Sequence, residues 1–172
     1  MNIVLIGYRG TGKSVVGRHL AERLQMPCMG MDGLIVEKAG MSIPEIVEQS
    51  GWTAFRDLET DVARDLASRD GIIIDTGGGV IERPENIDVL RQNACIFWLK
   101  ASVDTIVSRI QEGTERPALT EGKTFTEEVA EVLTERRPKY KGAADYEIDT
   151  DPLRPELIAE QIMDLWQETP TG

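Results

Sequence analysis

The chain has 172 residues, 41% of them hydrophobic, with 19 Lys+Arg against 30 Asp+Glu and a formal net charge of −11. That length supports one domain with a sizeable core, and that composition excludes a disordered tail. The acidic balance argues against nucleic acid as a partner, because a phosphate backbone needs a basic footprint, and no apolar run approaches the ~18 residues of a membrane span. The charge is uneven, however. Residues 1–30 sum to +3 and residues 120–172 to −7, so an anion site is expected near the N-terminal end.

Met1 runs straight into an apolar strand at 3–6, with neither the basic stretch nor the cleavage site of a signal peptide, so a cytoplasmic location is expected. A glycine-rich turn leads into a helix at 14–24, with Val16, Leu20 and Leu24 on one stripe. A second strand follows at 28–31. Ser42-Ile43-Pro44-Glu45 forms a capping box that opens a helix through Gln49. A longer helix, charged on one side, spans 53–67. Strands at 72–75 and 95–99 are strongly apolar, and a helix at 102–110 follows the second of them. Residues 111–123 are polar, with two Gly and one Pro, and carry no element signal; such a loop in a compact domain is usually functional or disordered. Thr124-Phe125-Thr126-Glu127 is a second capping box, opening a helix to about Arg136. A last strand at 146–148 precedes a helix begun by Arg154-Pro155, with Leu157, Ile158, Ile162 and Leu165 on its apolar face. Short apolar strands alternating with helices predict an α/β fold with parallel strands. Cys28 and Cys95 have no metal or redox spacing and read as buried thiols. Trp98 and Trp166 read as packing residues, and His19, off its helix's apolar stripe, as solvated. No apolar surface stripe is left over, so a monomer is expected.

The most specific local signal is Gly7-Tyr8-Arg9-Gly10-Thr11-Gly12-Lys13-Ser14, which matches G-x-x-x-x-G-K-[ST] between a strand and a helix. Glycines let backbone N–H groups turn inward around a phosphate, and the helix N-terminus adds partial positive charge. ATP and Mg²⁺ are the expected cofactors. Gly10, Thr11, Gly12, Lys13, Ser14 and Val15 would cradle the phosphates, with Lys13 reaching the β/γ-phosphates and Ser14 Oγ the metal.

Further patches lie along the chain: Met29-Gly30-Met31-Asp32, Gly40-Met41-Ser42-Ile43, Gly51, Phe55-Arg56-Asp57-Leu58-Glu59, Thr76-Gly77-Gly78-Gly79, Arg116-Pro117-Ala118-Leu119, Glu135-Arg136-Arg137-Pro138-Lys139-Tyr140 and Ile148-Asp149-Thr150. With the P-loop, this ordered set resembles the shikimate kinase family over nearly the whole chain. The resemblance implies a three-layer α/β/α P-loop NTPase fold of the nucleoside-monophosphate-kinase type, with a five-stranded parallel sheet. It implies a single domain over 1–172, a substrate-binding subregion at 33–60 and a mobile lid at 111–123. It also implies transfer of the ATP γ-phosphoryl to the 3-hydroxyl of shikimate, a step of aromatic amino-acid biosynthesis.

By the same resemblance, Lys13, Asp32 and Arg116 are catalytic: Asp32 binds and activates the acceptor hydroxyl, and Arg116 is the lid arginine over the phosphates. Arg56 and Arg136 hold the shikimate carboxylate, a planar anion that suits a guanidinium fork. Glu59 orients Arg56 from one helical turn away, and Gly78 and Gly79 supply backbone that closes on the substrate. Arg109 and Arg154 flank adenine. Plainer readings stand beside these: Asp32 as a helix N-cap, Arg56–Glu59 as an exposed surface pair, Arg116 as an ordinary loop charge.

Some positions depart from the family pattern. The usual Asp-x-Asp reads Gly30-Met31-Asp32, losing a carboxylate that helps hold Mg²⁺. Asp75 stands where a small residue is usual, at the end of an apolar strand, as in a Walker-B segment. Asp75 is therefore expected to replace the lost carboxylate beside Ser14 at the metal site, against the alternative of a solvated or capping aspartate. Val47 replaces an aromatic and Trp52 a glutamate, and Trp52 is positioned to fill volume that Val47 leaves. Two other functions remain open at this level. One is another small-molecule P-loop kinase of the gluconate or nucleoside-monophosphate type; the other is a silent nucleotide-binding relative.

Overall fold

The computed structural model describes residues 1–111 and 124–170. Five parallel strands form one sheet in the order β2-β3-β1-β4-β5: β1 is Asn2–Ile6, β2 Cys28–Gly30, β3 Ile73–Asp75, β4 Ala94–Lys100 and β5 Tyr146–Asp149. All five residues of β1 are buried, as a central strand covered on both faces requires. One face packs Ile3, Leu5, Ile73, Phe97 and Leu99 against α1 (Lys13–Leu24) and α7 (Pro155–Glu168). The other packs Val4, Ile6, Ile74, Ile96 and Trp98 against α2 (Met31–Ala39), α3 (Ile43–Ala67), α4 (Pro84–Arg91) and α6 (Phe125–Ala143). These are the three layers the resemblance implied. Each fully buried aliphatic side chain contributes roughly 1.5–3 kcal/mol to that packing.

Register brings the chemistry to one edge. Leu5 of β1 and Gly30 of β2 both lie beside Asp75 of β3, and Ile6 lies beside Trp98 of β4. The turns that leave β1, β2 and β3 therefore open at the same end of the sheet, where ligands bind in open α/β folds.

Several elements differ from their sequence signals. The helices expected to end at Gln49 and begin at Thr53 are fused into α3, bent at Gly51 with φ 84° and ψ 170°. Helix α6 runs past Arg136 and through Pro138 to Ala143. Its last turns are held by the fully buried Tyr140, whose ring stacks on Trp98 at 5.6 Å, which offsets the hydrogen bond lost at proline. Helix α4 has no counterpart among the expected elements, and α2 starts at Met31 on a Gly30 cap rather than on Asp32. Met31 belongs to α2 rather than to the second strand, and it is fully buried. Cys95 is buried, with its thiol pushed up to about 11 by burial, whereas Cys28 is only half-buried, a correction to its reading as a buried thiol. His19 is also half-buried, with its Nε2 3.7 Å from Glu156. Among the described residues, no helix is long and apolar enough to cross a membrane.

Candidate active site

The loop between β1 and α1 is wound around its own backbone. Gly7, Gly10 and Gly12 all have positive φ, at 146°, 81° and 91°. At Gly7 a side chain is excluded outright, since a Cβ would lie 2.6 Å from the Leu99 carbonyl. Thr11 Oγ1 donates to the Tyr8 carbonyl at 2.8 Å, and Lys13 Nζ donates to the carbonyls of Gly7 at 2.7 Å and Tyr8 at 3.1 Å. Gly12 caps α1 without a side-chain hydrogen bond, which leaves the first N–H groups of the helix for a ligand. Burial pulls the Lys13 ammonium down to about 8, against the pull of Asp75 and Asp32. Ser14 Oγ donates to Asp75 Oδ2 at 2.6 Å. A cavity of about 430 Å³ opens over this loop, and its lining includes Arg9, Lys13, Ser14, Asp32, Asp75 and Gly77.

The second half of the site is built on α3 and the glycine run after β3. Arg56 donates to Glu59 Oε1 at 2.7 Å and to the Gly79 carbonyl at 3.1 Å, and its guanidinium lies 5.1 Å from the Phe55 ring and 5.7 Å from the Trp52 ring. Glu59 is 1% exposed, so this pair is no ordinary surface ion pair. Burial pushes the Glu59 carboxyl above its usual range while Arg56 pulls it back, and its buried Oε2 has no hydrogen-bond partner among the described residues. The glycines have steric reasons. A Cβ on Gly79 would collide with the Arg56 guanidinium, and one on Gly77 would sit 2.8 Å from Asp32 Oδ1 and 3.2 Å from Glu59 Oε2. Asp32 lies in the first turn of α2, whose N-cap is Gly30, so it does not serve as the cap.

Arg136 reaches the same place from α6. Its Nε donates to Glu82 Oε1 at 3.1 Å, and a Cβ on Gly78 would lie 3.6 Å from its Nη1. Burial works against the Glu82 charge, yet hydrogen bonds from Lys139 and Arg136 hold its carboxyl below the usual glutamate range. The Tyr140 hydroxyl donates to the Gly78 carbonyl, and burial pushes that phenol up to about 12. Sequence reasoning missed Glu82 and Tyr140 as supports. Their only signal was closeness to Gly79 and Arg136 along the chain, which does not reveal a contact between them.

Arg109 of α5 (Val103–Gln111) ties the P-loop to the end of the sheet, donating to the Gly10 carbonyl at 3.2 Å and to Thr150 Oγ1 at 3.3 Å. Val15 is exposed beside Ser14. Arg154 is exposed at the N-cap of α7 and makes no side-chain hydrogen bond there, so nothing described brings it to the phosphate loop. Arg116 and the rest of the expected lid, 112–123, lie outside the described residues, and Gln111 closes α5.

The family model described as shikimate kinase matches residues 9–167. The chain belongs to the shikimate kinase family. A shikimate kinase of Geobacter sulfurreducens is 44% identical over 149 residues, covering 87% of this chain and 81% of that protein. One from Thermodesulfovibrio yellowstonii is 38% identical over 171 residues, 99% of this chain and 98% of the relative. The structure of shikimate kinase from Acinetobacter baumannii in complex with shikimate superposes with a TM-score of 0.89 at 34% identity, over 96% of this chain and 92% of that one. Within this shikimate kinase frame, the departures take definite places. Asp75 is adjacent to Gly30 in the sheet and bonded to Ser14. Trp52 stays 53% exposed, and its ring contacts are with Phe55, edge-on at 5.9 Å, and with Arg56; Val47 packs against the core.

Proposed function

We propose that this chain transfers the γ-phosphoryl of ATP to the 3-hydroxyl of shikimate, giving ADP and shikimate 3-phosphate. The observation that carries this reading is the junction at Gly77–Gly79. It sets Asp32, Glu59 and Arg56 against the glycine run, at the edge of the cavity that holds Lys13 and Ser14. A phosphate socket and a hydroxyl-binding carboxylate thus share one space, the requirement for in-line transfer.

Arg56 and Arg136 would hold the acceptor carboxylate, each already oriented by a glutamate, Glu59 and Glu82. Asp32 would accept the proton of the attacking hydroxyl as its oxygen bonds to the γ-phosphorus and the bond to the β,γ-bridging oxygen breaks. Lys13 would offset charge that develops on the transferring group. Ser14 and Asp75, a hydroxyl and a carboxylate 2.6 Å apart, fit a hard divalent cation that keeps several waters. Mg²⁺ there would neutralise the β- and γ-phosphate oxygens. Arg109 would face adenine at the rim of the P-loop, with Arg154 beyond it. Arg116 joins the machinery by family resemblance, as do the acceptor subregion at 33–60 and the lid at 111–123. The chain is proposed to act as a monomer.

A coupled assay of ADP release with shikimate, gluconate and nucleoside monophosphates tests the reading. Turnover with shikimate alone is expected. Turnover with another acceptor, or with none, would replace it with another kinase or a silent binder. Arg116→Ala should lower kcat by more than it weakens shikimate affinity, and an unchanged kcat removes Arg116 from the mechanism.

A further inference from the structure

Five cations among the described residues bear on this site, and four have an evident partner. Lys13 is held by two carbonyls, Arg56 by Glu59, Arg136 by Glu82, and Arg109 by Gly10 and Thr150. Arg9 differs. Among the described residues it pairs with no carboxylate. Its guanidinium stacks on two rings instead, 5.9 Å from the centroid of Tyr8 and 5.7 Å from that of Phe125. The Tyr8 ring is buried and carries a second guanidinium, that of Arg136, also at 5.9 Å. Two like charges therefore share one ring, in a protein with an excess of carboxylates to offer. Among the described residues this cation has no counter-anion, and a bound ligand can supply one.

Position fixes which anion. Arg9 lines the same cavity as Lys13 and Asp32. Its backbone nitrogen lies 3.4 Å from where a Cβ on Gly78 would stand, so position 9 is where the phosphate loop touches the acceptor loop. Lys13 and the N-terminus of α1 serve the nucleotide side, whereas Arg9 stands at the boundary with the acceptor.

Building on the proposed function, we infer that Arg9 binds the phosphoryl group on the acceptor side, and so recognises the phosphorylated product rather than the unphosphorylated acceptor. The oxygens it would meet are those of the group newly bonded to the acceptor oxygen after the bond to ADP has broken. A charge-assisted hydrogen bond of this kind is worth about tenfold or more in affinity.

The test compares two ligands by titration calorimetry on the full chain without nucleotide: shikimate and shikimate 3-phosphate. Arg9→Gln is expected to weaken the 3-phosphate about tenfold or more and shikimate less than threefold, with Arg9→Lys in between. An equal effect on both ligands, or no effect on either, overturns the proposal. A thermal midpoint for each variant within a few degrees of the parent shows that folding is intact. Should Arg9→Gln fail that check, Arg9→Lys alone decides, by whether its loss is confined to the 3-phosphate. Failure of the underlying reading looks different, because the parent protein would then bind neither ligand.

Discussion

Lys13 shows how much one side chain's surroundings decide. Burial holds its ammonium near 8, below the ordinary lysine value of 10.5. Between those values the unfolded chain binds a proton that the native protein does not, so this group makes native stability rise with pH through that window. A bound triphosphate acts in the opposite direction, since its charge favours the ammonium. Nucleotide binding should therefore take up a proton at pH 8.5 and none at pH 6.5, and affinity should fall as pH rises past 8. Calorimetry in two buffers of different ionisation heat reads this directly. Asp75 makes a second prediction at the same scale. Asp75→Ala should weaken Mn²⁺ binding to the nucleotide complex about tenfold, as loss of groups that orient metal ligands commonly does, and Gly30→Asp in that background should restore part of it. Paramagnetic resonance of free Mn²⁺ measures both, and unchanged affinity in Asp75→Ala removes it from the metal site. The P-loop was legible in the sequence as a local pattern, and Asp75 was expected beside Ser14, where the structure has it at 2.6 Å. Arg9 and Glu82 were not, because their importance rests on neighbours far along the chain.

At the scale of elements, the legible parts were those with a period or a cap. The apolar run of β1, and the capping boxes at Ser42 and Thr124, each with both reciprocal hydrogen bonds, led to correct starts. What failed were boundaries that packing decides. Helix α6 was expected to end at about Arg136, but the buried Tyr140 carries it onward through Pro138. Helix α4 began at Pro84, an N1 signal too short to stand without the core beneath Ile87 and Leu90. Gly51 carries the sharpest element-level prediction. Its φ of 84° lies in the left-handed region with nothing within 4 Å of a prospective Cβ, so strain alone is at stake. Gly51→Ala should cost about 1–3 kcal/mol in urea unfolding, because φ 84° with ψ 170° is a conformation almost confined to glycine. If shikimate affinity falls as well, the bend also positions the segment that carries Arg56.

For the whole molecule, a net charge of −11 describes the surface at large and not the end of the sheet where the P-loop lies. The structure concentrates Arg9, Lys13, Arg56, Arg109 and Arg136 near that end. The remaining acidic surface repels itself, and salt screens that repulsion over about a Debye length. Thermal stability without ligand should therefore increase between 10 and 300 mM NaCl (roughly 30 to 6 Å of screening length). A midpoint that falls with salt would mean that surface ion pairs outweigh the net repulsion.

The hydrogen bonds from Lys13 and Thr11 to the Gly7 and Tyr8 carbonyls carry a last consequence. The loop is braced from within by its own lysine and threonine. Its left-handed glycines are ordered during folding, when the core gains outweigh the lost chain entropy. A loop braced in this way has less conformational freedom left to lose when it closes on a ligand.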